Sequence, residues 1–494
     1  VQSALIDSGN QIYGIFHERC VDRMIDQAIL PPTLSGPPVS RWWGCFPDLR
    51  RDTLGFLIQC QAYGDVVKLP MGLVVKLLLR QRDAAMYVLN HPTDVKHVLV
   101  TNQDNYRKAP VPPVESRIFG QGVLHTEGET HHRQRRVLLP FFHGNHVTAY
   151  TNLITRQARD RVALWQDGTT VDIGLEMAHL TLSVIWRLLF SQDVRSESDP
   201  IRDAISVGQS LIKLQYDSLL ASVTPLWVPI PRHRRFTRGF RMIEERLFQF
   251  IHERRIAAEP HDDVLSLLLS ATDKEGRPLS DAEIRDELMT FLLAGHETTV
   301  NALTWTWFLL SQYGSVRERL TRELNEVLGD RLPNADDLSR LRYMKMIWDE
   351  SLRLYPPAWT LHTRLAHAQD RLPSGAVLPP GAWVFVSPWS LHRNPRWFPD
   401  PHRFDPERFS EEAQRTRPPF SYIPFGAGGR RCLGESFAEM EGMLILATIA
   451  STVCLNLVDG QTIQPDPVMA LRPNVPVQMT VQRNGMTEPH PVVT

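Results

Sequence analysis

A mainly helical chain with a smaller β part is predicted by three features of the sequence. Between about residues 131 and 312, apolar residues recur at helical spacing over long stretches. The longest such pattern runs from about Asp281 to Gln312, "DAEIRDELMTFLLAGHETTVNALTWTWFLLSQ". After about residue 365 the texture changes to short runs broken by Pro and Gly, the pattern of strands and turns.

Taken in order, the first forty residues are mixed and end in the Pro-rich stretch "LPPTLSGPP". Short β-like runs follow in "DVVKLPMGLVVKLLL", and "NHPTDVKHVLV" reads as a helix start. Helical patterns then dominate in "HHRQRRVLLPFF", "NLITRQARDRVALWQ", "MAHLTLSVIWRLLF" and "FRMIEERLFQFIHERRI". A last helix is expected in "ESFAEMEGMLILATIAS", followed by short strands. No Gly/Ser tract, like-charge block or internal repeat divides the chain, so residues 1–494 are expected to form one domain, with 1–40 as its lead-in.

Composition narrows the function. A hydrophobic share of 43% with 22% charged residues suits a large globular core. A net charge of −1 argues against nucleic-acid binding, which needs a basic footprint. Cys20, Cys45, Cys60, Cys432 and Cys454 are odd in number and lack C-x-x-C spacing, as expected of free thiols in a reducing compartment. No run reaches ~18 consecutive apolar residues, so no transmembrane anchor is expected. Asp7, His17, Glu18, Arg19 and Asp22 interrupt any signal-peptide core. The expected location is the cytoplasm, and a start at Val1 leaves room for a removed leader.

The long helix carries an anomaly. Apolar positions 288, 291, 292, 295, 302 and 303 share one face, and flanking residues are apolar almost all round after 300. Yet "AGHETT" places Gly295, Glu297 and two threonines at its centre. Glycine there costs ~1 kcal/mol relative to alanine, and a buried carboxylate needs a partner. "HETTV" is not a zinc-protease motif, because Val300 stands where the second histidine is required. "GAGGRR" fails as a dinucleotide loop, because Arg431 replaces the third glycine.

Two further patterns accompany it. In "ESLR", Glu350 and Arg353 lie three apart on one helical face and can pair; Arg408 in "FDPERF" can close a three-membered network with them. The loop "FGAGGRRCLG", residues 425 to 434, then surrounds one cysteine with four glycines and two arginines.

This ordered set resembles the cytochrome P-450 haem-thiolate monooxygenases, and the likeness extends from near residue 31 to the C-terminal strands. The loop matches the family pattern F-G-x-G-x-R-x-C-x-G at Phe425, Gly426, Gly428, Arg430, Cys432 and Gly434. The resemblance implies that family's fold, with haem b (iron protoporphyrin IX) between the long helix and the cysteine loop. It makes Cys432 the axial iron ligand, a thiolate that favours O–O cleavage, with Phe425 and Gly426 against the porphyrin. Arg430, His131, Arg135 and Arg364 are then expected to supply cations for the two propionates. On the oxygen side, Ala294 and Gly295 are expected at the haem, with Gly295 opening the helix to admit dioxygen. Glu297 and Thr298 form an acid–alcohol pair for proton delivery.

The implied reaction is hydroxylation or epoxidation of a lipophilic substrate, with fatty acid, terpenoid, steroid and polyketide all open. Pocket walls are expected from 108–124, from about 205–230, from the helix near Ala294, and from 356–361, with Ala358, Trp359 and Leu361 near the haem edge. No reductase or ferredoxin segment follows the motifs, so electrons are expected from a separate ferredoxin or flavodoxin and an NAD(P)H-dependent reductase. Arg133, Arg136 and Arg431 are expected to form a basic docking patch. The basic run "PRHRRFTRGFR" is read as a solvated helix start. The alternative functions are a haem-thiolate peroxygenase or isomerase, and a non-catalytic haem sensor.

Overall fold

The structure, a computed structural model, describes residues 34–79, 85–142, 150–193, 198–217, 221, 224–228, 230–257, 261–272 and 276–484. Residues 1–33 of the expected lead-in, Cys20, and parts of the 205–230 pocket wall lie outside the described residues.

Seven helices carry the site and are labelled in chain order. They are α1 (Gly128–Leu138), α2 (Ile173–Phe190), α3 (Ser198–Asp217), α4 (Pro231–Ala257), α5 (Asp281–Gln312), α6 (Arg342–Leu354) and α7 (Glu435–Thr452). The limits of α5 coincide with the apolar pattern because its start is chemically marked. The Ser280 hydroxyl accepts from the Glu283 N–H while Glu283 accepts from the Ser280 N–H, a reciprocal cap. This helix crosses the main apolar core, with α2, α4, α6 and α7 packed against it.

Among the described residues, α2 alone is long and apolar enough to cross a membrane, and 61% of it is buried inside the protein. It lies along α5, where Ile185 occupies the space beside Gly295. A Cβ on Gly295 would come within 3.0 Å of the Ile185 Cδ1. The helix runs unbroken, and the glycine is a close-packing site between α2 and α5.

The β part centres on one sheet, β1 (Val66–Pro70), β2 (Ala85–Leu89), β3 (Tyr106–Lys108), β4 (Arg364–Ala366) and β5 (Trp383–Phe385), in the order β1-β2-β5-β4-β3. Only β2 and β5 run parallel. The "LVVKLLL" stretch is a helix, Leu73–Leu79, and not the β run expected. The Leu73 and Val74 N–H groups at its start donate to the Arg41 and Trp42 carbonyls, which fixes the first turn. The basic run opens α4 as expected, with His233, Phe236 and Phe240 turned inward and Arg232, Arg234, Arg235, Arg238 and Arg241 exposed.

Glu350 and Arg353 on α6 are fully buried. The guanidinium donates to both carboxylate oxygens at 2.6 and 2.7 Å, and to the carbonyls of His392, Pro401 and Arg403. Glu350 also accepts from the Asp405 N–H at 2.9 Å, and Arg408 stands 3.5 Å away as an ion pair without hydrogen-bond geometry. Replacing Arg353 with leucine strands a buried carboxylate. The expected loss is ~3–5 kcal/mol of unfolding free energy, measured by urea denaturation; a loss under ~1 kcal/mol would contradict the account.

Candidate functional site

A chain of backbone and side-chain bonds leads from α6 to the cysteine. Arg353 donates to the His392 carbonyl, and the Ile423 N–H donates to the His392 Nε2 at 2.9 Å. Burial and the nearby Arg353, Arg393 and Arg417 hold His392 neutral, so its ring nitrogen can accept. Next, the Gly426 N–H donates to the Ile423 carbonyl at 3.0 Å, and the Cys432 N–H closes the loop onto Phe425 at 2.9 Å.

Gly426 and Gly428 both adopt the left-handed region, at φ 70° and 69°. A Cβ on Gly428 would lie 1.9 Å from the Leu99 carbonyl oxygen. The close approach this glycine permits is thus to the 97–101 turn.

The Cys432 side chain is accessible to solvent, yet surrounding protein raises its pKa to about 11. A thiol that is both reachable and ringed by protein lies in a recess. The Gly434 N–H, at the start of α7, bonds the sulfur and favours its charged form, as do Arg135 and Arg431; Glu435 opposes it.

Midway along α5, burial is interrupted. Ala294 is exposed, and Gly295 and Thr298 are half-buried, between the buried runs on either side. The Thr298 hydroxyl donates to the Ala294 carbonyl at 2.7 Å, and Thr299 donates to the Gly295 carbonyl at 3.1 Å. His296 turns the other way, bonded through Nδ1 to the Thr181 hydroxyl at 2.8 Å. Glu297 is buried with its Oε2 unpartnered, and burial pushes its carboxyl up to about 7 against the opposing effects of Arg472 and Gln209.

Positive charge collects beside the cysteine loop. Arg430 pairs with Glu127 at 3.0 Å and donates to the Thr126 carbonyl. Arg135 reaches from α1 to the Arg431 carbonyl at 2.7 Å. Arg364 is buried and opposite Lys108 in the β3–β4 register. Burial, then Arg430, lowers Arg364 to about 10; burial, then Arg430 and Arg364, lowers Lys108 to about 7.

His131 is held neutral, its pKa lowered to about 3 by burial and by Arg430, Lys108 and Arg135. Among the four side chains expected at the propionates, the charge here is carried by Arg135, Arg364 and Arg430, with His131 uncharged. Lys108 and His362 are members of this cluster that the sequence reading missed. Neither lies in a recognisable motif, and only the strand register reveals Lys108.

Leu361 lies against Gly426, within 3.7 Å of where a Cβ would stand, and packs on the small core beneath the sheet. Ala358 is half-buried. Trp359 is placed differently from the expected pocket wall. Its indole N–H donates to the Val468 carbonyl at 2.9 Å, and its ring packs with Leu54, Trp389 and Leu471.

A small apolar recess with about 20 Å³ of open space is lined from 108–124 by Ile118, from α3 by Ala204, Ile205, Gly208, Gln209 and Ile212, and from α5 by Met289 and Leu293. Phe236, Phe240 and Ile243 of α4 and Met469 complete it, and these the sequence reading did not include.

Of the three arginines expected to dock a partner, Arg133 pairs with Glu283 at 2.9 Å and Arg431 pairs with Glu435. Arg136 is exposed, with no acidic partner among the described residues.

The family model described as Cytochrome P-450 matches residues 62–481. Cyclooctatin synthase of Streptomyces melanosporofaciens is 35% identical over 429 residues, covering 86% of this chain and 90% of its own. Cyclooctat-9-en-7-ol 5-monooxygenase of the same organism is 34% identical over 448 residues, covering 88% and 94%. Pentalenene oxygenase of Streptomyces avermitilis is 32% identical, covering 84% and 88%. The crystal structure of the cytochrome P-450DA heme domain superposes with a TM-score of 0.79 at 25% identity, over 91% of this chain and 97% of that one. With the family model spanning most of its length and relatives above 30% identity along nearly their whole chains, this protein belongs to the cytochrome P-450 family and is a haem-dependent monooxygenase.

Proposed function

We propose that this chain, as a single domain, binds haem b through Cys432 and oxygenates a cyclic terpenoid with dioxygen and two electrons from a separate ferredoxin or flavodoxin. The observation that carries the reading is the shared position of thiol and cations: Arg135 bonds the cysteine loop while acting on both Cys432 and His131.

The residues fit the cofactor. Lys108, Arg135, Arg364 and Arg430 gather where Glu127 and Glu115 are the acidic groups that reach them, so an anion relieves their repulsion. Two carboxylates on one planar group answer that excess. Haem, when bound, supplies the iron at which dioxygen is reduced, one oxygen atom entering a C–H or C=C bond and the other leaving as water.

The chain's own residues do the rest. Arg135, Arg364 and Arg430 hold the propionates, with the neutral His131 donating an N–H bond. The Gly434 N–H stabilises sulfur charge at Cys432. The Thr298 hydroxyl, its proton donated to the Ala294 carbonyl, presents its oxygen as an acceptor at the exposed window of α5, and Glu297 on the adjoining stripe holds the proton to be delivered. Support for a terpenoid comes from the names of three relatives, which concern cyclooctatin, cyclooctat-9-en-7-ol and pentalenene.

Cysteine-to-serine replacement at 432 is expected to abolish the strongly red-shifted Soret band of the reduced carbon monoxide complex, and oxygenation with it. Retention of both would remove Cys432 from the iron.

Thr298→Ala is expected to leave substrate binding unchanged while diverting electrons to peroxide, read as product formed per NAD(P)H consumed. Glu297 donates only when protonated and its carboxyl titrates at about 7, so coupling should fall as pH rises from about 6 to about 8. Glu297→Gln should flatten that profile; an unchanged profile would exclude Glu297 as the donor.

Arg136→Glu should slow electron transfer and weaken its salt dependence, measured by stopped-flow reduction with a surrogate ferredoxin. An unchanged rate would place the docking surface elsewhere.

A further inference from the structure

The connection between β1 and β2 is longer than an antiparallel pair requires. The strands pair from Val66 with Leu89 to Pro70 with Ala85, which leaves residues 71–84 between them; a hairpin loop needs about two to five residues. Half of this connection is the helix Leu73–Leu79, "LVVKLLL", aliphatic apart from Lys76. Such a helix belongs in a core, yet Leu73 is 53% exposed and Leu77 is 77% exposed. Spaced four apart, they share one face, with the half-buried Lys76 beside them.

A second apolar element is built against the start of this helix. Ser40 and Gly44 exchange backbone bonds at 3.1 and 2.7 Å, closing a tight turn. Trp42 and Trp43 at its tip are 58% and 45% exposed. The Arg41 and Trp42 carbonyls accept from the Leu73 and Val74 N–H groups, and a Cβ on Gly72 would lie 2.3 Å from the Trp42 carbonyl oxygen. Backbone contact thus fixes the tryptophans beside the leucines. The inner side of the turn is anchored by Cys45, buried in a small core with Leu57, Val67 and Leu69.

Charge around this surface is one-sided. Residues 34–79 carry Arg41, Arg50, Arg51, Lys68 and Lys76 against Asp48, Asp52 and Asp65. Asp65 is taken by Arg396, and Asp52 accepts from the Gly55 N–H as a helix cap. The five cations have no acidic partner among the described residues.

We propose that the 40–44 turn and the helix Leu73–Leu79 form one patch that docks the folded protein onto the surface of an anionic lipid bilayer. Leucine side chains enter the acyl boundary, and the tryptophan rings sit at headgroup depth. Lys76 lays its stem along the apolar face and its ammonium among the phosphates. A helix of this length is about 10 Å long and lies in the surface without crossing it. Hydrocarbon with anions at its rim answers both halves of the patch. The inference holds whatever substrate the haem site takes.

The test sediments the full, haem-loaded chain with vesicles of phosphatidylcholine alone or of phosphatidylcholine mixed with phosphatidylglycerol. The wild type is expected to bind the mixed vesicles more tightly, and to lose that preference as salt rises. Leu73→Ser combined with Leu77→Ser should weaken binding to both kinds of vesicle about tenfold. Arg41→Gln combined with Lys76→Gln should weaken binding to the mixed vesicles about tenfold and leave the neutral ones unchanged. Trp42→Ala combined with Trp43→Ala gives an independent variant of the same patch, expected to behave as the leucine pair does. Failure of the wild type to sediment with either vesicle would overturn the proposal, as would binding that survives in the leucine and tryptophan variants alike. Self-association that these substitutions abolish, without vesicle binding, would make the patch an interface between copies of this chain and overturn it too.

Discussion

The ion pair between Glu350 and Arg353 is where the geometry of the sulfur side begins. Two charges with no exposed surface persist only when every donor and acceptor is used. Their satisfaction recruits carbonyls from residues 392, 401 and 403 and the N–H of residue 405. That requirement clamps the irregular chain preceding the cysteine loop, a stretch with little regular structure to hold it. His392 then passes the constraint to Ile423, and two turn bonds pass it to Cys432. A buried pair of this kind is weak evidence for stability in itself. Its consequence here is positional, since removing either charge would release the backbone that aims the thiol.

The opposite constraint acts on the cations. Lys108, Arg364, Arg430 and Arg135 arrive from β3, β4, the cysteine loop and α1, and nothing in their own elements requires them to meet. Pairing Lys108 with Arg364 across two strands places like charges side by side, which is unfavourable in isolation. Burial, acting with that repulsion, makes Lys108 and Arg364 easier to deprotonate and leaves His131 uncharged. An architecture that accepts such repulsion has its compensation in an anionic ligand, and the accessible thiol beside the cluster names the kind of ligand.

Legibility in the sequence followed how local each feature is. The α5 limits could be read because capping and periodicity are local, and the cysteine loop because its spacing is short and unusual. "ESLR" alone was uninformative: the same four residues on a solvated helix look identical, and only residues fifty positions downstream make the pair a buried one. The close packing of Gly295 could not be read because its neighbour Ile185 lies on another helix. His131 has an ordinary imidazole whose neutrality comes from burial and from charges that include Arg430 and Lys108, distant in sequence. Trp359 sits in a motif near the site, yet its indole finds its acceptor at Val468. In each of these the contact that sets the side chain's surroundings is long-range.

The two faces of α5 give the protein its asymmetry. One stripe, Ala294 and Thr298, is open at the centre of an otherwise buried helix and carries a hydroxyl anchored one turn back. The neighbouring stripe borders a small apolar recess through Met289 and Leu293 and ends at Glu297, a carboxyl whose Oε2 lacks a partner. A helix repeats every 3.6 residues, so groups at 297 and 298 project about 100° apart. Apolar lining and proton supply can thus occupy adjacent surfaces of one rigid element. Neither surface can shift without the other, because no break separates them along the helix. The close packing of Gly295 against Ile185 fixes the rotation of that element about its axis. A side chain introduced there would turn both stripes together, and with them the hydroxyl at 298 and the carboxyl at 297 relative to the cysteine loop.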